Sequence, residues 1–327
     1  MGGEEATALD AIERALEDRL VRSGVDPEGR SWKRAAQETT EATLDASLEF
    51  PPGQSLFTMI VTERVESWID GVREPRVAAW RGAVANRLLS PIDPPDGAEA
   101  MVAPMTWVLE QAADGLRLTQ SHYLPPAVVR EGVERFDWWP FDRPPRSEAD
   151  VPQLLDLREV ATDLRLVRRT GRDLKLTKSG VAALTNPAVL WRRLVDTIGG
   201  SSEFEGIVAE LLALSLLHGD AVDDELEREL ASVLAALGWR RTDGEISPRD
   251  VGEALWERLR VWVALNIVDH HWSVWDSATQ EELEPSRVAL TDAGVTTVLA
   301  YLRRRALAPR HDVGHPDDFD DLDDLDD

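Results

Sequence analysis

The stretch Leu154 to Leu184, LLDLREVATDLRLVRRTGRDLKLTKSGVAAL, decides the fold. Leu154, Leu157, Val160, Ala161 and Leu164 recur at spacings that put them on one face of a helix. A strand over Leu166 to Arg169 should follow, then a turn at Gly171, where positive φ costs glycine little. Leu174 and Leu176 alternate with polar neighbours in a second strand, and Thr177-Lys178-Ser179 can cap a helix through Gly180, Val181, Ala182 and Leu184. This order of helix, strand, turn, strand, helix matches the second half of a winged helix-turn-helix, with Thr170 to Asp173 at the wing tip.

The same stretch carries the main charge anomaly. Arg158, Arg165, Arg168, Arg169, Arg172, Lys175 and Lys178 stand against Glu159, Asp163 and Asp173, in a chain of formal net charge −25. Lysine and arginine groups on a wing can grip phosphate oxygens, so Arg168, Arg169, Arg172, Lys175 and Lys178 are candidate DNA-phosphate contacts, with Arg165 nearer the groove. A solvated hairpin in an arginine-rich chain is the alternative, because charge alone identifies no partner.

With 327 residues, 43% of them hydrophobic, the chain can form several domains with their own cores. The absence of cysteine excludes disulfides, thiolate metal sites and a cysteine nucleophile, and fits a cytoplasmic protein. No basic and apolar leader precedes the first helix, and no run approaches eighteen apolar residues, so neither export nor a membrane is expected. A pI near 4.6 argues against adhesion to anionic membranes or DNA over the whole surface. Nucleic-acid contact has to be confined to a patch.

Around this stretch four regions are expected, and the fold class is mainly α with small β-hairpins (α+β). Residues 1–95 read as a helical domain, with helices over Ala8 to Val21, Ser31 to Leu48, Ser55 to Val72 and Pro75 to Leu89, and with Trp68 and Trp80 in its core. PIDPPDG, Pro91 to Gly97, has linker composition. Residues 98–200 form the winged-helix-like domain with the basic wing. Residues 201–308 are helices followed by a second such unit, and 309–327 form a disordered acidic tail.

Within the second region, Trp107 to Glu110 and Leu116 to Thr119 flank Asp114-Gly115, a turn pair suited to a hairpin. Leu116-Arg117-Leu118-Thr119 resembles Leu174 to Thr177 and Val288 to Thr291, each expected to close a hairpin and launch a helix. The repeat is longer for the last two, with Asp163 to Arg169 aligning with Ala264 to His270. Apolar positions agree while charges do not, so the copies share fold and the basic wing belongs to the middle copy. Between them, FDWWPFDRPP, Phe136 to Pro145, offers four aromatics that either stack bases or pack a proline-rich connector onto the domain. The burial of Trp138 decides between these.

The runs GLRLTQSHYLPPAVVREGV, LLDLREVATDLRLVRRTGRDLKLTKSGVAAL and NPAVLWRRLVDTI resemble a region of uncharacterised actinobacterial proteins related to the plasmid ORF-3-like family. The similarity rests on Thr119, Tyr123, Leu124, Pro125 and Pro126, on the wing exit Leu174, Leu176, Thr177 and Gly180, and on Asn186, Pro187 and Trp191. It covers about Met105 to Ile198, with a weaker echo over Leu237 to Leu302. The resemblance implies no catalytic activity and carries no active-site residues, and His122 stands where relatives commonly have glycine.

Further along, Phe204 to His218 reads as a buried helix and Asp224 to Leu237 as an amphipathic one ended by Gly238. Ser247-Pro248-Arg249-Asp250 has the residues of a helix start. The last hairpin carries Asp269, His270, His271, Trp272 and Trp275 before Glu281, Glu282 and Glu284, which suits a protein partner better than phosphate. His270 and His271 are adjacent on a strand and should diverge, which disfavours a metal site. His311, Asp312, His315 and Asp317 would have to converge from a flexible tail. No nucleophile elbow, phosphate loop, dinucleotide turn or zinc-protease helix occurs, so no enzyme and no cofactor are expected.

After Arg303-Arg304-Arg305, the residues from Asp317 on include eight aspartates with Phe319, Leu322 and Leu325 between them. This tail either solubilises the protein or folds back on a basic surface and competes with nucleic acid. The leading expectation is a non-enzymatic, DNA-binding or regulatory protein that contacts phosphates through the basic wing, with a protein-interaction adaptor as the alternative.

Overall fold

The computed structural model describes residues 30–46, 55–139, 141, 143–241, 244–271, 273–275 and 282–308, together with 9–18 except 10 and 17. The acidic tail, the Pro51-Pro52-Gly53 break and most of the acidic loop in the last hairpin lie outside them. The described part is mainly helical, with small antiparallel sheets. The chain divides into two compact units, one drawn from Met1–Val65 and Arg303–Asp327, the other Glu66–Leu302. In the first lies helix α1 (Arg30–Asp45), bearing an exposed Arg34–Glu38 pair. Helix α2 (Leu56–Asp70) runs across the boundary into the second unit.

The second unit begins with the end of α2 and with α3 (Pro75–Leu88), where Pro75 takes the first helical turn and Glu74 accepts the N–H of Arg76. Trp68 is buried as expected, whereas Trp80 is only half-buried and lies beside His218 at 5.9 Å between ring centroids.

A first set of elements follows: α4 (Ala98–Ala112), β1 (Leu116–Arg117), α5 (Pro126–Phe136), α6 (Pro152–Asp163), β2 (Val167–Thr170) and β3 (Asp173–Leu176), ending in α7 (Lys178–Leu184) and α8 (Pro187–Val195). The strands pair antiparallel in the order β1-β3-β2. The hairpin expected around Asp114-Gly115 does not form, because Trp107 to Glu110 belongs to α4. Met101, Met105, Val108, Leu109 and Ala112 are all buried at helical spacing, and that stripe outweighs the short apolar run before the turn. Gly115, at φ 87°, ends the helix and releases β1, whose partner is β3 far along the chain. The Thr119 step likewise closes a turn, its hydroxyl accepting the N–H of Tyr123, and launches no helix.

The order recurs in α9 (Glu203–Leu216), β4 (Ala221–Val222), α10 (Asp223–Ala236), α11 (Pro248–Ala264), β7 (Val268–His271) and β10 (Arg287–Leu290), followed by α12 (Asp292–Leu307). The sheet order is β4-β10-β7, the same arrangement. Two small hairpins are inserted: β5 (Arg240–Arg241) with β6 (Gly244–Glu245), and β8 (Val274–Trp275) with β9 (Glu282–Glu284).

The aligned residues also make the same bonds. Arg165 and Asn266 occupy equivalent positive-φ positions at 53° and 52°, closing α6 and α11. The next N–H reaches back to Ala161 O at 2.9 Å in one copy and to Trp262 O at 2.8 Å in the other. Thr177 donates its hydroxyl to Arg165 O at 2.6 Å and accepts from Gly180 N at 3.0 Å. Thr291 does so with Asn266 O at 2.8 Å and Gly294 N at 2.9 Å. A Cβ on Gly180 would stand 2.0 Å from Leu166 O, and one on Gly294 1.8 Å from Ile267 O. Glycine is therefore required where each helix leaves its sheet.

The copies pack together within this unit. Helix α6 lies along α11, and Arg260 Nε donates to buried Asp156 at 3.0 Å. Trp191 Nε1 on α8 donates to Thr297 on α12 at 2.9 Å, and Trp262 Nε1 to Ile198 O at 3.2 Å. Among the described residues no helix is long and apolar enough to cross a membrane.

Candidate nucleic-acid interface

The register of the first hairpin sorts the basic residues. Val167 and Arg169 face the side on which Leu174 and Leu176 lie, while Arg168 is directly opposite Lys175, and Thr170 opposite Asp173, on the other. Arg168 and Lys175 are exposed like charges in register, a pairing unfavourable to the hairpin alone and relieved by an anion. Arg169, Arg165 and Lys178 are exposed as well. None of these five side chains enters an ion pair or hydrogen bond among the described residues.

Two cations are already engaged. Arg172 donates from Nε and Nη2 to Leu118 O at 3.2 and 2.8 Å, tying the β2–β3 turn to the end of β1. Arg158 is turned inward, 2.6 Å from fully buried Glu148, whose second oxygen accepts Leu124 N at 2.8 Å. The register also adds Arg117, which sequence reasoning missed. It sits across from Asp173, 3.2 Å away, on the face that carries Arg168 and Lys175. Only the pairing of β1 with β3 could have found it.

The helix before this hairpin, α6, has different chemistry. Between α6 and α11 lies a hollow of about 330 Å³, lined by Glu159, Asp163, Glu205, Glu257 and other carboxylates, with Arg258 and Arg260. Burial acts to raise the Glu205 carboxyl, but the Ser201 and Ser202 N–H groups, Arg258 and the Ser201 hydroxyl together hold it below its ordinary range. Helix α6 thus meets a second helix and an acidic hollow.

The aromatic connector packs onto the domain. Trp138 is 8% exposed and stacks on Phe136 at 4.8 Å, and Phe136 meets Trp107 edge-on at 5.9 Å. These rings anchor the connector onto the domain and are not splayed out as a single-strand platform. Phe141, by contrast, is 65% exposed.

One cluster missed in the sequence is Asp223, His270 and Ser286. His270 Nε2 lies 2.9 Å from Asp223 Oδ2 and 3.1 Å from Ser286 Oγ, and Ser286 Oγ donates to the same carboxylate oxygen at 2.5 Å. One ring nitrogen faces both partners, so the carboxylate does not orient the imidazole from behind as a relay requires. What the cluster does is join the start of α10 to β7 and to the residue that precedes β10. His271 is exposed, so the two imidazoles diverge as the strand geometry demands. Among the described residues no group of three or more His, Cys, Asp or Glu side chains can hold a metal ion.

Comparison with family models, with curated proteins and with solved structures finds no match to this chain.

Proposed function

We propose that this is a cytoplasmic, non-enzymatic DNA-associated regulatory protein built on two tandem winged helices, and that it grips phosphates through the exposed face of the first wing. The boundaries follow the two sets of elements, 98–200 and 201–308. The helix, strand, helix, helix, strand, strand order with the first strand paired to the last supports the winged-helix reading of both. The observation that carries the DNA reading is the in-register opposition of Arg168 and Lys175, flanked by exposed Arg165, Arg169 and Lys178, in a chain of net charge −25. Helix α6 is covered by α11, so the contact is to backbone phosphates and tolerant of sequence. The acidic tail, as a second polyanion, competes for the same cations.

The test is fluorescence anisotropy of labelled duplex and single-stranded DNA over a range of salt, with the full chain and one ending at Pro316. Replacing Arg168, Arg169 and Lys175 by Gln should reduce the salt slope by about one for each phosphate no longer neutralised. Arg172→Gln, which removes a structural bond, should weaken binding less than Arg168→Gln. Truncation should strengthen binding. The adaptor reading is favoured by one specific observation, the face-to-face packing of α6 and α11 beside an acidic hollow. Absence of salt-sensitive binding at low salt would leave that reading in front.

A further inference from the structure

An apolar hollow in the second unit lies away from the β2–β3 hairpin. It has a volume of about 750 Å³ and lies where the aromatic connector crosses the start of α6 and the middle of α11. Its walls are Trp138, Trp139, Phe141, Trp256, Leu259 and Val263. Trp138 is locked down by Phe136, Trp139 donates Nε1 to Arg143 O and meets Phe141 edge-on at 5.0 Å, and Trp256 Nε1 is held by Glu227 at 3.0 Å. Most of the ring walls are thus fixed before anything enters. Phe141, at the rim, is 65% exposed.

The polar groups on the lining are few and mostly donors. Among the described residues Arg260 makes one hydrogen bond, from Nε to Asp156, which leaves its terminal nitrogens for a ligand. The Gln153 amide, on the same lining, makes no hydrogen bond among the described residues. The one carboxylate, Asp150, is already engaged by Arg146 N at 2.8 Å and Ser147 N at 3.0 Å. His270 presents a ring packed edge-on against Trp256 at 5.5 Å, and its Nε2 belongs to Asp223 and Ser286. Ser273 completes the lining.

A volume in the small-molecule range, rigid aromatic walls and a guanidinium with free donors are the ingredients of a ligand pocket. We propose that this hollow binds a small planar aromatic anion, such as an aryl carboxylate or sulfonate, with its rings between Trp138, Trp256 and Phe141 and its acid group on Arg260 and Gln153. A flat ring system matches the ring-lined walls, and a neutral ligand would leave the Arg260 donors unused.

The proposal is tested on the full chain with 1-anilinonaphthalene-8-sulfonate as the fluorescent probe and with 1-naphthoate and 1-naphthylmethanol as competitors. The expected result is saturable one-to-one binding, displaced by naphthoate about tenfold more tightly than by the neutral alcohol, the scale of one charge-assisted bond. Saturating naphthoate should also raise the thermal midpoint. Val263→Phe, which fills the hollow, should weaken binding at least about tenfold. Phe141→Ala, at an exposed position that folding tolerates, should weaken it about threefold. Non-saturable binding, or affinity unchanged in both variants, overturns the pocket. Equal competition by acid and alcohol overturns the anionic ligand. DNA binding plays no part in any of these readings.

Discussion

Single residues decide where the repeat is rigid. Gly180 and Gly294 sit where a helix leaves the sheet against a backbone carbonyl, and that carbonyl cannot give way, because it also accepts the N–H of Thr177 or Thr291. Gly180→Ala and Gly294→Ala should each cost about 3 kcal/mol in denaturant unfolding, in the range of forced overpacking. Gly171→Ala, at φ 63° with open space around it, should cost only about 1 kcal/mol. Equal losses at all three positions would mean that close approach is not the reason for glycine. His122 adopts φ 63°, the same left-handed region, in which a glycine would be less strained.

At the scale of elements, caps do much of the positioning. The start of α11 is a capping box: Ser247 Oγ and N both lie on Asp250 Oδ2, at 2.6 and 2.9 Å, and Arg241 pairs with the other oxygen. The Ser247 hydroxyl first, then the Ser247 N–H and Arg241, hold the Asp250 carboxyl below its ordinary 3.8. A carboxylate with a depressed folded pKa adds stability above its unfolded value, and that part is lost as pH falls through the folded value. The full chain should therefore lose more stability between pH 5 and pH 3 than Asp250→Asn does, measured by denaturant unfolding at both. Parallel losses would remove the cap from the acid response. Among strands, β1 and β4 are only two residues long, and each is held by the last strand of its own sheet.

At the scale of the molecule, buried charge ties distant segments together. Glu210 on α9 is fully buried, with Arg81 Nη2 at 2.6 Å and Trp68 Nε1 at 3.2 Å, and the Arg81 guanidinium lies 4.7 Å over the Trp68 ring. Glu210→Leu would strand the arginine in the core. It should cost about 3–5 kcal/mol, the range for removing one partner of a buried pair, read as a drop in unfolding midpoint. Asp156 and Arg260 make a second link, between α6 and α11, with the carboxylate buried and the guanidinium partly in solvent. The first link ties α9 to α2 and α3, and the second holds the two repeats together where α6 lies along α11.

Helix periodicity, the Gly171 turn, the Thr177 cap and the capping box at Ser247 were all written locally, because each depends on residues within one turn or one hairpin. The threonine-to-glycine step repeated at Thr291 and Gly294 was legible too, since its hydrogen bonds close within a few residues of chain or across one sheet edge. Three matters were decided only in three dimensions. Trp107 to Glu110 joined a helix because packing of the whole stripe outweighed a local turn signal. Strand β1 found β3, and so brought Arg117 beside Arg168 and Lys175, because a two-residue strand carries too little pattern to name its partner. The packing of α6 on α11, which turns Asp156 inward and leaves Arg168 and Lys175 in solvent, follows from burial and charge pairing between segments that lie far apart in the chain.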